Sequence, residues 1–311
     1  MGVDCSHAKT FCLGTPLNNK PRVLKISPAD SVEAGDNAGD SILVIDSGVG
    51  GLSVCQSILV QQPKLQIIYF ADSACFPYGL LPEEQLSERL KLIVGKMLSL
   101  HQPKLVVLAC NTVSTLVLPE LRSLFDIPFV GVVPAIKPAA LASQTKRIGL
   151  LATPATIIRP YTDQLIQDHA RYCDVVKIGS NELVVQAENL LNDELVDKSL
   201  IDTVLAPFKG SSALQNIDTI VLGCTHFPLL KQYLQASLPD VNWIDSGEAI
   251  ANRVTHLLQG LRDDDWKAAG AKTGKVHQLY FSTPIQHKHE FPHVLRRLGF
   301  SAFELHYLDA V

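Results

Sequence analysis

Nine short apolar runs recur along the chain: Ile42-Leu43-Val44-Ile45, Ile67-Ile68-Tyr69-Phe70, Leu105-Val106-Val107-Leu108, Phe129-Val130-Gly131-Val132-Val133, Ile148-Gly149-Leu150-Leu151, Val175-Val176, Ile220-Val221-Leu222, Val241-Asn242-Trp243-Ile244 and Leu279-Tyr280-Phe281. They are continuous in hydrophobicity instead of alternating, as strands buried on both faces of a parallel sheet are. Amphipathic stretches such as Glu83 to Leu100 and Leu229 to Leu238 lie between them. The rhythm therefore predicts an α/β fold with mostly parallel sheets. Residues 1–40 are rich in Ser, Asp, Asn, Gly and Pro and lack apolar periodicity, which predicts a flexible extension with the fold beginning near Ser41.

At about 150 residues per domain, 311 residues make two domains. Ala135 to Thr145, bordered and interrupted by Pro134 and Pro138, reads as the crossover between them. The expected division is a discontinuous first α/β domain, 41–137 plus 241–311, and a second, 138–240. The run from Val241 is expected to return to the first domain. Gly260 to Gly274 reads as a loop before a closing strand, Leu279 to Phe281, and a helix, Glu290 to Leu298.

Several strands end in polar turns that open helices: Asp46-Ser47-Gly48-Val49-Gly50-Gly51, Cys110-Asn111-Thr112 and Cys224-Thr225-His226. In parallel sheets the sites gather at these carboxyl ends. One segment also resembles another, because Leu105-Val106-Val107-Leu108-Ala109-Cys110-Asn111-Thr112 and Thr219-Ile220-Val221-Leu222-Gly223-Cys224-Thr225-His226 share the order apolar strand, small residue, Cys, polar, polar. Two related halves, each presenting a thiol at a strand tip, would produce this pattern.

Composition changes the picture mainly by exclusion. With 27 basic and 31 acidic side chains the net charge is −4, which gives no global positive field for nucleic acid or anionic membrane. No stretch approaches the roughly 20 apolar residues of a membrane helix, and no secretory leader is visible. Met1, Gly2 and Ser6 fit only the short myristoylation pattern that chance readily produces. Seven Cys without a CxxC pair predict reduced thiols and a cytoplasmic location.

Cysteines in such a chain usually serve as small hydrophobes, and Cys5, Cys12, Cys55, Cys75 and Cys173 are read that way. Cys110 and Cys224 differ, since helix N-terminal amides at a strand-to-helix junction lower a thiol's pKa. Asp46 and Ser47 are good helix N-caps, and the glycines after them would let backbone approach a bound anion. The spacing matches neither Gly-x-Gly-x-x-Gly nor a P-loop, so nucleotide binding has little support. Pro77-Tyr78-Gly79 reads as a tight turn on the same sheet edge. His226 is either a satisfied polar residue at a helix start or a group that relays the proton of Cys224. His287, His289 and His293 read as a solvated helix face, because no Cys or second carboxylate completes a metal set.

Together these pieces resemble the cofactor-independent glutamate racemases of the aspartate/glutamate racemase family. The matching segments are Asp46 to Ser53, Phe76-Pro77-Tyr78-Gly79, Ala109-Cys110-Asn111-Thr112, Gly131 to Ala139, Leu222 to Leu230 and Asp245-Ser246-Gly247. The resemblance implies two α/β domains facing each other across a cleft, with Cys110 and Cys224 as opposed acid and base and with no cofactor. It places Asp46 beside Cys110 and His226 beside Cys224 as proton-handling helpers, and puts an auxiliary glutamate at Glu188. It assigns substrate binding to Asp46, Ser47, Tyr78, Gly79, Asn111, Thr112, Thr225 and His226. It further implies supply of D-glutamate for peptidoglycan and activation by the cell-wall precursor UDP-N-acetylmuramoyl-L-alanine, a property of the longer members.

Inverting an α-carbon requires a proton to leave one face and another to arrive on the opposite face, so a thiolate and a thiol must flank the substrate. Two other readings use the same residues differently. A cysteine hydrolase or amidase would employ Cys224 with His226 and would not need Cys110. A non-catalytic amino-acid binder would use the clamp without exchanging the α-proton.

Overall fold

The computed structural model describes residues 41–191, 194–209, 217–261, 276–283 and 291–308. The expectations for residues 1–40, for Cys5 and Cys12, for His287 and His289, and for most of the Gly260 to Gly274 loop lie outside these residues.

Two sheets, parallel throughout, organise the described residues. The first contains β1 (Ser41–Asp46), β2 (Gln66–Ala71), β3 (Val106–Leu108), β4 (Phe129–Gly131), β9 (His277–Phe281) and β10 (Phe303–Tyr307), in the order β10-β9-β2-β1-β3-β4. The second contains β5 (Arg147–Ala152), β6 (Asp174–Gly179), β7 (Thr219–Gly223) and β8 (Asn242–Ile244), in the order β6-β5-β7-β8. Taken in chain order, β1 to β4 and β5 to β8 follow one and the same plan, with the second strand outside the first and the third and fourth on its other side. Each sheet is thus doubly wound with its switch point between its first and third strands, where ligand crevices form.

The continuous apolar runs have a direct cause. Along β1, Ile42 and Val44 point into one core while Leu43 and Ile45 point into another. Along β7, Ile220 and Leu222 face one core and Val221 faces its opposite. Helices cover both faces of these central strands, so their interior positions are apolar and polar residues fall only at their ends.

Two expectations are corrected. Val241 to Ile244 does not return to the first unit, because β8 pairs with β7 from Thr219↔Asn242 to Val221↔Ile244. It is the fourth strand of the second repeat. The chain returns only afterwards, when the helix Gly247–Gly260 packs on the helix Leu52–Gln61. At the other crossing, Ala135 and Ile136 already belong to the core beneath β5 and β7, slightly ahead of the boundary expected at 137/138.

The strand β10 was not expected. Its residues are mostly exposed, as befits the edge of the sheet, so it lacks the apolar run that marks the others. No helix among the described residues is long and apolar enough to cross a membrane.

Leu43 is fully buried in the central strand β1. Its replacement, Leu43→Ala, should cost about 2–5 kcal/mol through lost burial and an unfilled cavity. Urea denaturation measures this, and a cost below about 1 kcal/mol would mean that the face collapses around the gap.

Candidate active site

The sequence positions both thiols by the same device. Cys110 follows β3 and is the N-cap of the helix Asn111–Leu124. Cys224 follows β7 and precedes the 3₁₀ turn Phe227–Leu230. Each is therefore at the tip of the third strand of its repeat, beside the switch point. Both line a single cavity that opens to solvent, with about 320 Å³ of empty space counting part of its open mouth.

Ser47, Tyr78, Gly79, Asn111, Thr112, Thr225 and His226 line the same cavity. Asp46 and Glu188 stand one layer behind it. Asp46 has no solvent exposure. It accepts the Thr225 hydroxyl at 2.9 Å, the Ser47 hydroxyl at 3.2 Å and the Gly48 N–H at 3.2 Å. Burial pushes its carboxyl above the usual range, against the pull of the His226 charge and of the bonds from Thr225 and Gly48.

Glu188, on the helix Glu182–Leu191, reaches the other way across the cleft. Its Oε1 accepts the Val49 N–H at 3.0 Å and lies 2.8 Å from His226 Nε2. His226 Nδ1 is 3.8 Å from Cys224 Sγ. Burial works against a charged imidazole here, yet the bonds to Cys224 and Glu188 and their charges outweigh it and raise the His226 pKa well above 6.5.

The glycine-rich turn has a role different from the one its composition suggests. A Cβ at Gly50 would lie 2.3 Å from His226 Nδ1, and one at Gly48 would lie 2.3 Å from Glu188 Oε1. The bare backbone makes room for side chains of the second unit.

The thiol expectation also needs correction for Cys110. The amides of Val113 and Thr112 do lower its pKa, as a helix N-terminus should, but burial and then the nearby Asp46 raise it further, so the net shift is upward. Desolvation of a thiolate outweighs a partial dipole charge.

Thr153, Thr156 and Val184 also line the cavity and were not singled out from the sequence. Thr153 directly follows β5, the counterpart of β1, so the strand-tip argument that found Asp46 and Ser47 reaches it too. The Thr112 hydroxyl lies 3.5 Å from that of Thr153 and 3.4 Å from that of Thr156, a long-range contact across the cleft. Cys55 is buried in the first core, as a small hydrophobe would be; Cys75 and Cys173 are partly buried against apolar clusters. No group of three or more His, Cys, Asp or Glu among the described residues could hold a metal ion.

Comparison with known proteins agrees with this geometry. Residues 42–254 match the family described as Asp/Glu/hydantoin racemase. Glutamate racemase of Haemophilus ducreyi is 50% identical over 219 residues, 70% of this chain and 82% of that protein. The Aliivibrio fischeri enzyme of the same name is 46% identical over 264 residues, 85% of this chain and 96% of its own. Among solved structures, Escherichia coli glutamate racemase in complex with L-glutamate and the activator UDP-MurNAc-Ala matches with a TM-score of 0.78 at 40% identity, covering 88% of this chain and 99% of that one. The chain belongs to the Asp/Glu/hydantoin racemase family.

The imidazole of His226 should remain charged at neutral pH, which ¹⁵N NMR of labelled histidine reads directly. A raised histidine pKa stabilises the fold fully below the unfolded value of about 6.5, and that contribution is lost as pH rises through the folded value. Glu188→Gln should lower the His226 titration point; an unmoved titration would show that Glu188 does not hold the proton there.

Proposed function

We propose that the chain interconverts L- and D-glutamate by a two-thiol exchange of the α-proton, with Cys110 and Cys224 as the catalytic pair. The single observation that carries this reading is that equivalent strand tips of two repeats bring both thiols to one cavity. A hydrolase built on Cys224 and His226 would leave the second thiol and its matching turn without purpose.

In the direction from L-glutamate, Cys224 removes the α-proton and Cys110 delivers one to the opposite face; the roles reverse from D-glutamate. The surroundings suit this start. Cys110 is held as a neutral thiol by burial and by Asp46, whereas Cys224 Sγ lies 3.8 Å from Nδ1 of the His226 imidazole. Glu188 keeps that imidazole oriented, and Asp46 acts through Thr225 and Ser47.

No Arg or Lys among the described residues lines the cavity, so the substrate's carboxylates are bound by hydroxyls and amides. Ser47, Thr112 and Thr225, with the amides opening the helix at Asn111, supply donors that also offset the charge developing at the α-carbon in a dry site. Tyr78 and Gly79 form the wall for the rest of the substrate. Asn111 Oδ1 is buried without a hydrogen-bond partner among the described residues, and an α-ammonium group would satisfy it. The chemistry as drawn uses no cofactor. We place it in the cytoplasm, where thiols stay reduced and where D-glutamate would enter peptidoglycan synthesis.

Cys110→Ser and Cys224→Ser should each lower racemisation by at least the ~10²–10⁴ that a positioned acid or base contributes. Enantiomers are equal in energy in water, so kcat/KM must fall by the same factor in both directions. The test is to follow optical rotation and deuterium uptake at the α-carbon for each enantiomer in D₂O without added cofactor. Near-wild-type turnover in either variant would overturn the scheme, and an acyl-enzyme or ammonia release from an amide would select the hydrolase.

By likeness to the E. coli enzyme we also propose that UDP-N-acetylmuramoyl-L-alanine activates this chain. Initial rates with and without that precursor should differ severalfold; equal rates would reject the activation.

A further inference from the structure

Strand β9 is followed by Ser282-Thr283, and nothing in the reaction scheme uses either residue. Both grip the turn that follows β2. The Ser282 hydroxyl donates to Asp72 Oδ1 at 2.8 Å and accepts the Ala74 N–H at 2.8 Å, while the Ser282 N–H donates to the Ala71 carbonyl at 3.1 Å. The Thr283 and Ser73 hydroxyls are 2.6 Å apart, and the Thr283 N–H donates to the Ser73 hydroxyl oxygen at 3.1 Å.

Asp72 is the centre of this cluster and has no solvent exposure. Arg89, from the helix Glu83–His101, bonds to both of its oxygens. The Tyr78 hydroxyl donates to Asp72 Oδ2 at 3.0 Å. Tyr78 and Gly79, in turn, line the cavity. An unbroken path of hydrogen bonds therefore runs from the tip of β9 to the wall of the site.

The path matters because of what the intervening chain lacks. Between β2 and the helix Glu83–His101 the backbone forms only two 3₁₀ turns, Ser73–Cys75 and Tyr78–Leu80, and pairs with no strand. Apart from the Tyr78 ring, which is buried in the core, its placement depends largely on side-chain bonds to neighbours. A buried carboxylate demands a full set of donors, and here one of them comes from β9.

We propose that Ser282 and Thr283 are positioning residues for the substrate, setting the Pro77–Gly79 wall through Asp72 and Ser73. The kinetic arm of the test rests on the glutamate reading above; the exchange arm does not. The purified full chain is compared with Ser282→Ala, Thr283→Ala and Thr283→Ser, the last of which keeps the hydroxyl without adding volume. Both alanine variants should raise KM for each glutamate enantiomer by about threefold to tenfold, the worth of an ordinary net hydrogen bond, with kcat changed by less than about twofold. Hydrogen–deuterium exchange should quicken over residues 73–81 and not across β5 to β8, and Thr283→Ser should behave as wild type.

Unchanged exchange over 73–81 in Ser282→Ala would overturn the proposal, whether or not the wild type racemises glutamate. So would quickened exchange with unchanged KM, or a fall in kcat that tracks the melting temperature while KM stays fixed. Equal impairment of Thr283→Ser and Thr283→Ala would do the same. A wild type that exchanges no α-proton defeats the activity reading alone.

Discussion

A carboxylate without access to water ties the site together. Asp46 ends β1, and its strongest neutral donor, the Thr225 hydroxyl, comes from the other sheet. Moving a carboxylate out of water costs several kcal/mol unless its oxygens are bonded. The local donors, Ser47 and Gly48, are long at 3.2 Å, so full satisfaction requires the tip of β7 to meet the tip of β1. Glu188 makes the reciprocal demand: a side chain of the second unit takes the Val49 N–H of the first while holding His226. Closing the cleft and satisfying these two carboxylates are one event, and Gly48 and Gly50 permit it because any side chain there would collide with Glu188 and His226.

Topology makes the two thiols equivalent, and their surroundings then make them different. Cys110 lies close to Asp46 in a dry pocket, which keeps its proton on. Cys224 lies next to an imidazole that other charges hold in its protonated form.

The strands were legible because both faces of each sheet are covered, which writes continuous apolar runs into the chain at Ile42, Ile67, Ile148 and Ile220. Where coverage fails, as at β10, the signal fails as well. Sheet membership is a different kind of information. The Val241 run was recognised as a strand but assigned to the wrong sheet, since local hydrophobicity says nothing about which neighbour a strand pairs with; only the repeated strand order does. The cysteines were found because their strand tips resemble each other. Thr153 escaped notice because a threonine before Pro154 reads as a helix cap, which it is, its hydroxyl accepting the Thr156 N–H. The upward shift at Cys110 was not readable at all, because burial is a property of the closed cleft and the helix terminus is a property of the segment.

Opposed faces follow from having two copies of one plan. Strand tips of a single sheet point the same way, so two groups on one sheet approach a bound molecule from the same side. Here the two thiols come from the tips of different sheets and line one cavity. The same arrangement decides where the molecule can yield. Each sheet is held by its own continuous core, with buried Leu, Ile and Val contributing about 1.5–3 kcal/mol apiece. The cleft is crossed by a handful of polar ties such as Asp46 to Thr225, Glu188 to Val49 and Ser53 to the Thr225 carbonyl, each worth about 0.5–3 kcal/mol net. Per interaction, the polar ties across the cleft are therefore of the same order as single core side chains, and they are far fewer.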